Sequence, residues 1–302
     1  SYGSGMYLYT PISYPLGGAT TYTPYYVKFD ENLKPQNTSN WEAGLDLNFF
    51  DNRLRLEYTL SYQDIKDQIF DVPTAGSTGY QYLRTNAGEM TTWSHEFSLN
   101  ASVIQSKDFN LDLGVNFTTL ENKVKKLAPG VESIMLGGFV EPQVRAMAGY
   151  TYPNIYGYAF KRTEDGQLLL SGGLPQATSA SVNIGECTPD FNMGFNLKAN
   201  YKRLSLTATL DWQKGGKMYN GTLLTMSYFG VTKASLPYHE GTMVAEGIDE
   251  ATGQKNTIEV SKQDYFMAYN DVTEAGIYDM SFVKLRDLTL SYQLPKFGAL
   301  DI

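Results

Sequence analysis

Seven stretches of this chain alternate apolar and polar residues one by one, joined by connections that are alternately very short and very long. In 41–49, Trp41, Ala43, Leu45, Leu47 and Phe49 share one face, and Glu42, Gly44, Asp46 and Asn48 the other. After Asp51-Asn52-Arg53, Leu54, Leu56, Tyr58, Leu60 and Tyr62 alternate with Arg55, Glu57, Thr59 and Ser61. A period of two means extended strands with one apolar and one polar face. The stretches match the roughly 9–11 residues that carry a tilted strand across a bilayer. Tight turns at one end and long loops at the other predict an all-β fold, an antiparallel transmembrane β-barrel wall.

The same pattern divides the chain. Residues 1–40, rich in Gly, Pro, Tyr and Thr, read as a loop-rich lead-in, with 25–29 extended; 41–126 hold two hairpins. Their third strand, about 88–104, sets Phe97, Leu99, Ala101 and Val103 against Glu96, Ser98, Asn100 and Ser102, and 105–108 turn it into the fourth. Residues 127–188 read as a long irregular extracellular loop, with a small hairpin of 158–162 and 167–170 around Asp165-Gly166, a strong turn pair. A further hairpin spans 189–216, turning at Lys202-Arg203, a second long extracellular loop spans 217–279, and a last strand lies in 280–302, closed by Pro295.

No apolar run approaches the roughly 18 residues of a spanning helix, a test that a barrel escapes because only every second residue meets lipid. A formal net charge of −8 without a basic cluster argues against nucleic acid. The single Cys187 excludes an intrachain disulfide framework. With only His95 and His239 there is little for a catalytic triad or metal site to draw on, so neither catalysis nor a cofactor is expected. His95 shares the parity of Trp93 and Phe97, which puts it on the outward face.

A soluble β-sandwich would alternate as well. Its loops, however, are usually of similar length at both ends, whereas these are not. The polar face is dominated by Asn, Ser, Thr, Asp and Gly rather than Lys and Glu, which suits a wet lumen. Trp41, Trp93 and Trp212 fall on the apolar face toward the long-loop ends of their strands, the place of a membrane-interface girdle. Seven strands fall short of a bacterial barrel, and a wall of ~22 strands would need on the order of 800 residues at this spacing. The chain therefore reads as about one third of such a wall.

Particular segments narrow the choice. Leu33-Lys34-Pro35-Gln36-Asn37-Thr38 leads into Trp41-Glu42-Ala43-Gly44-Leu45-Asp46, with Phe50-Asp51-Asn52-Arg53-Leu54 as the turn. Asn86-Ala87-Gly88-Glu89-Met90 precedes Glu96, with Ser94 where Gly is usual. Gly157-Tyr158, Asp165-Gly166 and Ile184-Gly185 are followed by Pro189-Asp190-Phe191; Asp211-Trp212-Gln213 precedes Gly215-Gly216 and Tyr219-Asn220. The most specific segment is Phe282-Val283-Lys284-Leu285-Arg286-Asp287-Leu288-Thr289-Leu290-Ser291-Tyr292-Gln293-Leu294-Pro295. These segments resemble the C-terminal barrel region of SusC-like (SusC/RagA) TonB-dependent transporters of Bacteroidetes, over Leu33 to Pro295.

The resemblance implies TonB-dependent uptake at the bacterial outer membrane as the transporter subunit of a SusCD-type complex. A SusD-like surface lipoprotein would act as a lid, and TonB would work through a plug domain that this stretch does not include. Oligosaccharides are the expected substrates, with peptides as the alternative. Tyr150, Tyr152, Tyr156 and Tyr158, gathered in one long loop, are the candidate substrate-binding residues, because aromatic faces stack on sugar C–H surfaces. The rival readings are a soluble or surface glycan-binding β-sandwich, which would stay monodisperse without detergent, and a passive porin, which would lack a plug.

Overall fold

The computed structural model describes residues 9–16, 19–138 and 140–295. Residues 1–8, the start of the lead-in, and 296–302, the end of the last segment, lie outside the described residues, as do 17, 18 and 139. The seven alternating stretches become seven long strands: β1 (Asn37–Phe49), β2 (Leu54–Pro73), β3 (Tyr82–Gln105), β4 (Phe109–Leu127), β5 (Pro189–Tyr201), β6 (Leu204–Gly215) and β7 (Phe282–Tyr292). They pair antiparallel, each with its neighbour in sequence, and the short strand Val27–Phe29 runs parallel to the start of β3. Within the lead-in, Tyr9–Leu16 and Ala19–Pro24 form a hairpin where only loop was expected.

The apolar face is bare. Trp41 is 74% exposed and Leu45 53%, and Phe49, Phe195, Leu290 and Tyr292 are exposed as well. Among the described residues no second sheet covers this face, so the sandwich reading falls. In Trp41, Tyr62 and Trp93 the register places three aromatic side chains in one row, with Tyr62 and Trp93 rings 4.5 Å apart.

The turns step once across the sheet: the second and third are level, with Phe109 opposite Tyr201, and both lie beyond the first. Leu54 is level with Ala101, Leu113 and Leu197, whereas the Lys202-Arg203 turn begins four positions further along, after Tyr201. Averaged from the first turn to the third, four residues at ~3.4 Å over four strand spacings of ~4.8 Å incline the strands by about 35° to the line joining those two turns, within the range of a barrel wall. Trp212 is offset in the same direction: it is level with Phe97, four positions below Trp93 and three strands away.

Two bulges keep the faces consistent where the alternation breaks. Ser102 pairs with Asp112 and Ile104 with Leu111, so Val103 is the extra residue and Ile104, rather than Val103, continues the apolar file. Arg53, in the first turn, donates to the Ser102 and Val103 carbonyls at 3.1–3.3 Å and holds this bulge. In β7 the pairing steps from Thr209–Asp287 to Leu210–Leu285, and the extra Arg286 brings Val283 and Leu285 onto the face of Leu288, Leu290 and Tyr292.

Candidate functional site

Above the turns, the polar face forms a continuous surface of short amides, hydroxyls and paired charges. Gly44, Thr59, Glu96, Thr118, Asn192, Gln213 and Phe282 make one row across all seven strands. Asp46, Glu57, Ser98, Asn116, Gly194, Asp211 and Lys284 make the next. Arg55 reaches Asp46 at 2.8 Å and also pairs with Glu57. Arg286 donates to Asp211 at 2.6 Å, Thr209 to Asn196 and Ser102 to Asp112. Missing side chains matter here, because a Cβ on Gly114 would sit 3.0 Å from the Asn100 amide oxygen. Neutral hydrogen-bonding groups in this density can exchange partners with a polar solute without burying a charge.

Toward the long-loop end, the polar face turns apolar and is covered. Ile65, Met90 and Val124, which continue the polar-face parity, pack with Ala146, Leu127 and Tyr152. The segment 127–188, expected to be largely irregular, is in fact a four-stranded antiparallel sheet of Ser133–Gly138, Gln143–Met147, Asn154–Gly157 and Val182–Glu186 folded onto this side. The expected Asp165-Gly166 turn is present, with Gly166 at φ 82°, Gly166 N–H donating to Thr163 O and Leu169 N–H to Lys161 O. Its flanks join as the expected hairpin close to the turn, with Arg162 bridging Leu168 and Thr163 N–H donating to Gln167 O, and part further out. Phe160 bridges to Ala177, while Leu169–Ser171 pairs with Leu174–Pro175 and, in parallel, with Ile248–Asp249 of the second long loop.

The four loop tyrosines separate. Tyr156 is 6% exposed, with Arg145 over its ring, and burial pushes its phenol above the ordinary range. Tyr152 packs against the Met90 cluster, whereas Tyr150 and Tyr158 are exposed. The structure thus leaves two of the four rings accessible.

The second long loop holds features that alternation could not reveal. Helix α1 (Gly221–Tyr228) is capped by Asn220, which accepts from Leu223 N–H at 3.0 Å, and α2 (Lys262–Asp271) by Ser261, which accepts from Asp264 N–H at 3.2 Å. Asn220 and Ser261-Lys262-Gln263-Asp264 were readable signals of these starts. Between them an aromatic stack forms: Tyr238 lies 4.5 Å from Phe266, nearly parallel, and Tyr269 4.6 Å from Phe160 of the other loop.

The chain resembles known proteins along almost its whole length. The family described as "TonB dependent receptor-like, beta-barrel" matches residues 1–299. TonB-dependent receptor P3 of Formosa agariphila is 28% identical over 297 residues, which cover 88% of this chain and 28% of the relative. TonB-dependent receptor SusC of Bacteroides thetaiotaomicron is 24% identical over 295 residues, 92% of this chain and again 28% of the relative. The chain therefore spans a little over a quarter of the length of these two relatives. A solved structure of the RagAB peptide transporter shares the fold, with a TM-score of 0.68 at 20% identity over 98% of this chain and 33% of that one. A seven-stranded wall with a bare apolar side, a polar side and two folded loops agrees with this similarity: the chain belongs to the TonB-dependent receptor β-barrel family, whose members reside in the outer membrane.

Proposed function

We propose that the protein containing this chain imports nutrients across the outer membrane, with energy supplied through TonB, and that its substrates are oligosaccharides. The observation that carries this reading is the polar face: rows in which Asn, Thr, Ser and Gln, with Gly44, Gly114 and Gly194, stand among acids such as Asp46, Glu57 and Asp211 that are paired with Arg55 and Arg286. Such a surface offers donors and acceptors to hydroxyls at low desolvation cost. In this reading the apolar face meets lipid, and Trp41, Trp93 and Trp212 sit at the membrane interface. Tyr150 and Tyr158, the exposed pair in the first long loop, contact substrate, and a SusD-like surface lipoprotein closes over the two loops.

The test is uptake by a strain carrying or lacking the full-length gene, offered labelled neutral oligosaccharides or labelled peptides, with and without functional TonB. Oligosaccharide accumulation that needs both the gene and TonB supports the proposal. Accumulation of peptides alone overturns the substrate class, and uptake indifferent to TonB makes the protein a passive pore.

A further inference from the structure

A cavity of about 420 Å³ opens between α1, the turn at Lys233–Tyr238 and α2, within the roughly 300–1,000 Å³ of small-molecule sites. We infer that it is a subsite for a neutral, hydroxyl-bearing ring, such as one sugar unit of the substrate; the inference rests on the uptake reading above and locates a contact that the four tyrosines do not supply.

Its walls are aromatic and set at two angles. Tyr238 and Phe266 stack within 20° of parallel, while Tyr228 and Phe229 meet edge to face at 86°. Phe229 stands 70% exposed at the rim, where its ring is open to a ligand.

Its polar groups carry no fixed charge. Among the described residues Gln263 and His239 line it, and no carboxylate, lysine or arginine does. His239 Nε2 lies 2.9 Å from the Gly230 carbonyl, which can only accept, so in the neutral ring Nε2 carries the proton. Ser235 Oγ donates to Thr232 O and stands 3.2 Å from the same nitrogen. Nδ1 is then left as an acceptor, and Gln263 brings both a donor and an acceptor.

These features select the ligand. A charged group would enter without a counter-charge and lose its hydration. A purely apolar side chain would cover Gln263 and His239 and leave them unpaired. A ring with C–H faces and peripheral hydroxyls meets both demands: its faces lie on the aromatic walls, and its hydroxyls donate to Nδ1 and exchange bonds with the amide.

The experiment uses the full-length receptor in detergent, titrated calorimetrically with neutral gluco-, manno- and xylo-hexasaccharides, with uronate-containing hexasaccharides of the same length, and with a peptide mixture. Gln263→Ala and Phe229→Ser are compared with the unaltered protein. Both positions are exposed, so neither change threatens folding. The expected result is binding of at least one neutral series, weakened about tenfold by each substitution, with uronates weaker still. Neutral sugar binding left unchanged by both substitutions overturns the subsite and leaves the uptake reading standing. Preferential binding of uronates or peptides overturns the neutral-ring assignment, and failure of every neutral sugar to bind the unaltered receptor sinks both the subsite and the oligosaccharide reading.

Discussion

Arg162 and Glu274, 112 residues apart, form a two-pronged ion pair that ties the first long loop to the second. Arg162 Nη2 lies 2.8 Å from Glu274 Oε1 and Nη1 2.9 Å from Oε2, which also accepts the Phe160 amide at 2.7 Å. Arg162 lies over the Phe160 ring as well, and the neighbouring carboxylate holds the guanidinium above its ordinary range. Both side chains are about a third exposed, so solvent screens the pair. Glu274→Ala is expected to loosen the contact between loops by about 1–2 kcal/mol, mostly from the orphaned Phe160 amide and Arg162. Hydrogen exchange should show faster exchange at 158–178 and 270–279, with the seven wall strands unchanged.

Gly215 ends β6 at φ 76°, and a Cβ there would lie 2.6 Å from the Asp190 carboxyl carbon. Gly215→Ala therefore meets two penalties, the left-handed backbone, worth roughly 1–2 kcal/mol, and displacement of Asp190. The folded fraction of the purified receptor, read by heat-modified mobility on gels, should fall, whereas Gly166→Ala, at a similar φ with open space around it, should cost only the backbone part.

Neighbouring positions on one strand should respond oppositely to charge. Leu206 belongs to the apolar file and Thr207 to the polar one, paired with Leu290 and Thr289 respectively. Leu206→Arg is expected to lose about 1 kcal/mol, the cost of a basic side chain against lipid close to the turn end of a strand, while Thr207→Arg changes little. Equal losses at both positions, measured as assembly into outer-membrane fractions, would contradict the assignment of faces.

The Ser281 hydroxyl, Lys217 Nζ at 2.9 Å and Ser281 N–H at 2.7 Å all donate to Asp279 and hold its carboxyl well below the usual carboxylate range. A depressed value means that the contribution is fully present above the unfolded-state value of ~3.9 and is lost as pH falls toward the folded one. The small ladder of Lys217–Tyr219 with Ile277–Asp279 should keep its amide protection from neutral pH down to the carboxylate range and lose it only in stronger acid. Asp279→Asn should abolish that acid step.

The wall was legible residue by residue. Each side chain in 41–62, 191–212 and 282–292 faces either an apolar or an aqueous medium, so its polarity reports its face without knowledge of any partner. The tight turns were equally local: Asp51-Asn52 and Lys202 take positive φ values, three of them in a non-glycine backbone that short hairpins demand. The bulges at Val103 and Arg286 were not separated out, because a break of parity has the same appearance in a sequence whether a strand bulges or ends.

The loops followed a different logic. Nothing near Tyr156 in the chain announces that Gln143–Met147 and Val182–Glu186 flank its strand and bury it, and nothing near Leu170 announces Asp249 as its partner. Sequence alone determined the strands, their two faces and the family, because a bilayer and an aqueous lumen act on every second residue alike. Tertiary structure alone decided which loop rings are buried, how the two loops lock through Arg162 and Glu274, and where an aromatic cavity opens, because those outcomes depend on contacts between residues that the chain brings together only after folding.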